Sequence, residues 1–183
     1  SDLVILQITG GCSHNKCTFC PAYKEKKFRI KSQDEIEADI MSASAAHPAA
    51  KRVFLCDGDP LIIDYRHLSR IIDRVGQQFP RLKRIGMYAN AKSILRKTAD
   101  ELAELRSKKV GILYMGLESG DAETLKRIQK GSAPDDMIAA AGLVKAAGMK
   151  INVSVLLGAG GKARSREHAR HTIEVLNKMQ PNH

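Results

Sequence analysis

Leu3-Val4-Ile5-Leu6-Gln7-Ile8 leads straight into Thr9-Gly10-Gly11-Cys12-Ser13-His14-Asn15-Lys16-Cys17-Thr18-Phe19-Cys20-Pro21. The first segment is an apolar run of strand length. The second is a loop opened by two glycines, whose backbones can curl where other residues cannot. Cys12, Cys17 and Cys20 fall within nine residues of it, and thiolates packed this closely suit a soft metal. Zinc sites and electron-transfer iron–sulfur sites usually take four protein ligands. Three local thiolates leave one metal position open, which implies chemistry rather than scaffolding.

The strand-then-loop pattern recurs along the chain. Ser32 and Glu35 form a capping box that opens a helix with Ile36, Ile40 and Met41 on one face. Val53-Phe54-Leu55 reads as a buried strand ending at Cys56-Asp57-Gly58-Asp59-Pro60. Leu68, Ile71, Ile72, Val75 and Phe79 then follow at helical spacing until Pro80. Leu82 to Tyr88 is a third strand, followed by Ala89-Asn90 and a helix with Thr98 and Glu101 as a second capping box. Val110 to Leu117 is a fourth, closed by Glu118-Ser119-Gly120. The next helix starts at Ser132-Ala133-Pro134-Asp135 and stops at Gly148. Ile151, Val153, Val155 and Leu157 make a fifth strand, ending at Gly158-Ala159-Gly160-Gly161, and a last helix carries Ile173, Leu176 and Met179.

Five strand–helix units predict an α/β protein with a parallel sheet, either open or curled into a barrel. Ligands gather at the carboxyl ends of strands in such folds. The cysteine loop, Asp57-Gly58-Asp59, Asn90, Glu118 and Gly158 all fall there.

Composition sets outer bounds. At 183 residues and 43% hydrophobic, residues 1–183 read as one globular domain. Aromatics are only 4%, with no Trp, so the core is aliphatic. No run approaches the roughly 20 apolar residues of a membrane span, and no signal-peptide layout opens the chain. A cytoplasmic location is the default reading. Cys56, the only other cysteine, is far from the cluster and reads as a packed thiol in a reducing compartment. The formal charge of +10 suits an anionic partner such as nucleic acid, a carboxylated substrate or an acidic protein, or simply a solvated basic surface. The run Lys24 to Lys31 and five histidines, His47, His67, His168, His171 and His183, read as surface or loop groups.

The chain resembles the radical S-adenosylmethionine (radical SAM) superfamily, whose signature is C-x(3)-C-x(2)-C with an aromatic residue before the third cysteine. Phe19 precedes Cys20 and the second spacing matches; the first is one residue longer. Asp57-Gly58-Asp59-Pro60 looks like the family's Gly-Gly-Glu-Pro motif, with Asp in place of the first glycine. Gly116-Leu117-Glu118-Ser119-Gly120 is similar to the fourth-strand segment of the branch containing the elongator catalytic subunit, methylthiotransferases and anaerobic coproporphyrinogen oxidase. Leu157-Gly158 looks like the fifth-strand motif flanking adenine.

The resemblance implies that Cys12, Cys17 and Cys20 ligate a [4Fe-4S] cluster and that SAM binds its fourth iron. It further implies SAM contacts from Phe19, Asp57, Gly58, Asp59, Pro60, Asn90, Glu118 and Gly158. The implied reaction is reductive cleavage of SAM to a 5′-deoxyadenosyl radical that abstracts hydrogen from a substrate, with electrons from a flavodoxin- or ferredoxin-type donor. The implied fold is a partial (β/α) barrel. Because the family core has six βα units and five are visible, a truncated (β/α)6 core with a sixth strand beyond His183 is the expectation.

Two rival readings bear on the same residues. One is a zinc site completed by His14 or Cys56; the other is a redox-sensing or nucleic-acid-binding regulator. Asp57 and Asp59 as helix caps, Glu118 as a cap for a helix near Asp121, and Asn90 as a turn residue are the structural alternatives.

Overall fold

Burial alternates along the first and second predicted strands and over most of the fourth, and this alternation defines the two faces of the sheet. A computed structural model describes residues 2–183. In chain order the strands are β1 (Leu3–Gln7), β2 (Thr9–Gly10), β3 (Arg29–Ile30), β4 (Arg52–Cys56), β5 (Arg84–Tyr88), β6 (Val110–Glu118) and β7 (Lys150–Val155). The helices are α1 (Gln33–Ala46), α2 (Tyr65–Gln78), α3 (Ala91–Leu95), α4 (Ala99–Ser107), α5 (Ala122–Arg127), α6 (Pro134–Ala146) and α7 (Ser165–Met179).

Val4 and Leu6, Val53 and Leu55, Ile85 and Met87, Leu113 and Met115, and Ile151 all enter one aliphatic core beneath the helices. Their neighbours Ile5, Phe54, Tyr88, Tyr114 and Asn152 therefore point to the opposite face, because successive side chains alternate.

The five long strands pair in the order β1-β4-β5-β6-β7, every pairing parallel. A doubly wound sheet would reverse its strand order at a switch point. Sequential order instead keeps the helices on one face and leaves the other as the inner wall of a (β/α) barrel. The five-unit partial barrel read from the sequence is the architecture observed. Asn182 donates its N–H to the Ile151 carbonyl, and Val153 donates to the His183 carbonyl. Residues 182–183 thus lie along the open edge of β7.

Local signals behave as their chemistry predicts. Ser32 with Glu35 and Thr98 with Glu101 form reciprocal capping boxes on α1 and α4, each worth about 1 kcal/mol. Gly148, at φ +76, ends α6 as the left-handed residue of a Schellman turn. Several features differ from the sequence reading. β2 and β3 form a small antiparallel ribbon that closes the base of the cysteine loop. α3 is a separate short helix. Met41 is 46% exposed and lies off the packed face of α1, whereas Met137 and Met179 are buried.

His168 is not a surface group, and His171, with 32% of its side chain exposed, is partly covered. His168 is buried and its Nδ1 meets Ser119 Oγ at 2.8 Å, while His171 Nδ1 meets Asp121 at 3.0 Å. Both fasten α7 to the end of β6, a long-range pairing that the spacing of histidines does not encode. Among the described residues no helix is long and apolar enough to cross a membrane.

Candidate active site

A cavity of about 290 Å³ opens at the carboxyl ends of the strands. Cys12, Cys17 and Cys20 line it together with Phe19, Asp57, Gly58, Asn90 and Glu118. Segments spanning a hundred residues of sequence therefore meet at one place. The floor is the inner wall of the sheet, where Phe54, Tyr88 and Tyr114 pack edge to face at ring separations of 5.0, 5.2 and 6.1 Å. Tyr88 and Tyr114 face the cavity and offer apolar surface with a polar tip.

The cysteine loop is held at several points. Gly58 donates its N–H to the Gly11 carbonyl at 3.1 Å, and Gly11 donates to Asp57 Oδ2 at 2.5 Å. A methyl at Gly58 would lie 2.5 Å from Cys12 Cα and 2.7 Å from the Gly11 carbonyl. Only glycine lets these two loops approach so closely. Asp57 sits at φ +84, a conformation glycine adopts without strain. Its carboxylate compensates by accepting from Gly11 and, at 3.2 Å, from Gln7 Nε2. The Tyr23 phenol is pushed well above its ordinary pKa by burial, with the Asp57 hydrogen bond and charge adding to the effect.

Asp59 is fully buried. Ser13 Oγ, Asn90 Nδ2 and Ser93 Oγ all donate to its Oδ2, at 2.7, 2.6 and 2.5 Å. Burial raises its pKa, and the Ser93 and Ser13 hydrogen bonds oppose that rise. Asp59 thus ties the cysteine loop to α3, where Asn90 is the N-cap and accepts from Ser93 N–H. Pro60 is buried in the 3-10 turn after it (Pro60–Ile62). Neither Asp59 nor Pro60 is among the residues lining the cavity, and neither is Gly158. Gly158 lies in an exposed turn at φ +79, with open space where a side chain would project.

Glu118 ends β6 at φ +61, beside a break in register with β7. Its Oε1 pairs with Lys130 Nζ at 3.1 Å, with only 13% and 15% of the two side chains exposed. Gly116 makes this fold-back sterically allowed, since a side chain there would collide with the Glu118 carboxylate and lie 2.8 Å from Lys130 Nζ. The helix-cap alternative for Glu118 does not hold: Asp121 caps α5 by accepting from Thr124 N–H. Lys130 is a site residue that sequence reasoning missed. It lies in a turn twelve residues after Glu118, with no periodicity or motif to mark it. Tyr88 and Tyr114 were legible in principle, as inward positions of strands once their register is known.

The residues fit an iron–sulfur cluster. The three thiols are half-buried and free. Burial raises the Cys17 pKa, with Lys130 opposing the shift; metal ligation requires the deprotonated form, which a nearby cation favours. Among the described residues no three His, Cys, Asp or Glu side chains close around one ion-sized point. The three cysteines nonetheless line one cavity, in keeping with a cluster in which each thiolate meets its own iron. The Glu118–Lys130 ion pair lines the same cavity and offers both charges to a zwitterionic ligand.

Comparison with known proteins agrees with this geometry. The radical SAM superfamily model matches residues 6–176. No curated protein matches the chain in sequence. Among solved structures, coproporphyrinogen III oxidase (HemN) of Escherichia coli, described as a radical SAM enzyme, is similar over 98% of this chain and 42% of its own, at 16% identity and TM-score 0.74. Methylornithine synthase (PylB) is similar over 98% of this chain and 51% of its own, at 17% identity and TM-score 0.72. The cobalamin-dependent radical enzyme OxsB, solved with S-adenosylmethionine bound, is similar over 94% of this chain and 26% of its own, at 18% identity and TM-score 0.67. The chain thus spans about half or less of each. At these identities the structures establish the barrel fold, and the family model, which runs through the cysteine loop and the carboxyl ends of all five sheet strands, establishes membership: the chain belongs to the radical SAM superfamily, enzymes that bind a [4Fe-4S] cluster and SAM.

Proposed function

We propose that this cavity is a SAM-cleaving radical site, with Cys12, Cys17 and Cys20 holding the cluster. The convergence of three thiols and the Glu118–Lys130 pair on one cavity at the strand ends carries the reading. Bound there, the cluster and SAM supply a reductively generated radical that abstracts hydrogen from a substrate. The protein's part is to bind, orient and shield. Glu118 and Lys130 present opposite charges to the amino-acid or ribose end of SAM. Tyr88, Tyr114 and Phe19 give apolar surface that limits water at the reacting atoms.

Asp57 acts as a brace for the loop through Gly11, and Gly58 sets the distance between the cysteine loop and β4. Asp59 and Asn90 act through Ser13, their polar atoms being engaged with one another. Pro60 fixes the turn that holds Asp59. Gly158, unencumbered by a side chain, offers backbone to the adenine edge. Lys16, Lys24, Lys26 and Lys27 are exposed beside the cluster loop, a charge pattern that suits an acidic electron donor of the flavodoxin or ferredoxin type.

Anaerobic reconstitution with iron and sulfide tests the reading. The wild type should bind iron and show a reduced-cluster EPR signal that changes on adding SAM. Replacing any one of Cys12, Cys17 or Cys20 by Ala should abolish that signal, and Cys56→Ala should leave it intact. Loss of iron from Cys56→Ala, or zinc as the sole tightly bound metal, would overturn the assignment. 5′-Deoxyadenosine formation, dependent on the same three cysteines, tests the chemistry itself.

A further inference from the structure

The first cysteine spacing has one residue more than the family signature, and His14 lies within it. His14 lines the same cavity as the three thiols, but one ring nitrogen is already engaged by the protein. Nε2 lies 2.7 Å from the Gln129 carbonyl, and because a carbonyl can only accept, that nitrogen must carry the proton. Two residues past Lys16, Thr18 donates its N–H to the Ile128 carbonyl at 3.0 Å. Both acceptors belong to the turn that ends α5.

That turn is built to present them. Gln129 donates to Lys126 and Lys130 donates to Leu125, at 3.1 and 3.0 Å, the two bonds of a Schellman motif. The left-handed position, usually glycine, is Gln129 at φ +54. The next residue, Lys130, is thereby turned back to Glu118. Gly131, also left-handed at φ +78, leaves the space the imidazole occupies: a Cβ there would overlap the ring and lie 2.9 Å from Nε2.

We propose that His14 is a positioning residue that locks the cysteine loop onto the C-terminal turn of α5, so that the thiols and the Glu118–Lys130 pair move as one unit. The inference deepens the functional reading above, in which the two halves line one cofactor cavity. It does not depend on the cofactor being present, since every contact it uses is made by the protein alone.

The test is the rate at which reduced apoprotein is alkylated by iodoacetamide, resolved cysteine by cysteine by mass spectrometry. Losing one hydrogen bond to a backbone carbonyl should make local opening, and hence Cys17 alkylation, about five- to tenfold faster in His14→Ala. Cys56, on β4, is the internal control and should not change. His14→Gln, whose amide can donate to the same carbonyl, should return Cys17 to within about twofold of wild type. Gly131→Ala should reproduce the His14→Ala effect by displacing the ring, and the double variant should be no faster than Gly131→Ala alone. Reconstituted His14→Ala should lose iron to a chelator faster than wild type by a similar factor.

Equal Cys17 rates in wild type and His14→Ala would overturn the lock, as would equal acceleration of Cys56, which would mean general destabilisation. Fully additive effects of the two substitutions would overturn it as well. A wild type that binds no cluster would instead sink the functional reading, while alkylation still decides the lock.

Discussion

Replacing Gly58 by Ala puts the steric core of this site to a direct test. Its backbone is not left-handed, so alanine meets no conformational penalty there; the whole effect is contact. The added methyl would lie 2.5 Å from Cys12 Cα, 2.6 Å from Cys12 Cβ and 2.7 Å from the Gly11 carbonyl. Carbon pairs rest at about 3.5–4.0 Å, so the two loops must separate by about 1 Å. The atoms in the way are backbone and a first side-chain carbon, not the tip of a flexible side chain.

Overpacking of this kind costs about 1–3 kcal/mol. Separation also stretches the 3.1 Å bond from Gly58 N–H to Gly11 O, at about 1 kcal/mol. The sum, about 2–4 kcal/mol, corresponds to a fall in melting temperature of about 5–15 °C for a chain of this length. Cys12 is displaced with its loop, so cluster uptake should fall too. Thermal melting by circular dichroism and iron content after reconstitution are the assays. A melt within about 2 °C of wild type, with unchanged iron, would refute the argument that this contact sets the loop. Gly76→Ala is the matched control: nothing lies within 4 Å of that position in α2, and the better helix former should stabilise by about 0.5–1 kcal/mol.

Three further outcomes follow from the same geometry. Lys130→Met should still assemble a cluster, since all three thiols remain, but weaken SAM binding to the reconstituted protein by about 10- to 100-fold, the worth of one charge-assisted bond; an unchanged dissociation constant by calorimetry would remove Lys130 from the site. Asp121 should govern acid stability. Arg164, bidentate at 2.8 Å, and then Thr124 and His171 hold its carboxyl far below the usual range. A depressed folded pKa contributes stability above the unfolded value of about 3.9 and loses it as pH falls below that. Asp121→Asn should therefore melt well below wild type at neutral pH, with the gap narrowing toward pH ~3; a gap independent of pH would contradict this. Tyr23→Phe should free one acceptor site on Asp57 without touching the thiols, so cluster content should persist while the Asp57 brace weakens, seen as faster exchange of the Gly11 amide; unchanged exchange would show that the phenol contributes nothing to the brace.

Much of the molecule is legible in its amino-acid sequence. Strand–helix alternation gave the five βα units because each strand buries one face and the helices bury a 3.6-residue stripe. Capping boxes at Ser32 and Thr98 announced themselves because their partners are three residues away. The reading failed where partners are distant. His168 and His171 look like any surface histidines until α7 packs on the end of β6 and brings Ser119 and Asp121 to them. Met41 fits a helical stripe that α2 does not fully cover.

The amino-acid sequence by itself determined the chemistry available: three thiolates in a glycine-led loop, acidic and glycine residues at successive strand ends, and the family to which these belong. Their types and local spacing are enough, because soft-metal binding and backbone freedom are properties of the residues themselves. Only the tertiary structure decided which of those residues face the cavity. It turned Asp59 inward to brace the loop, kept Asn90 at the cavity while engaging it with Asp59, left Gly158 outside the lining, and brought Lys130 to Glu118 and His14 to Gln129. Those pairings rest on strand register, on a left-handed turn after α5 and on glycines where loops touch. Each is a long-range steric outcome that no local pattern records.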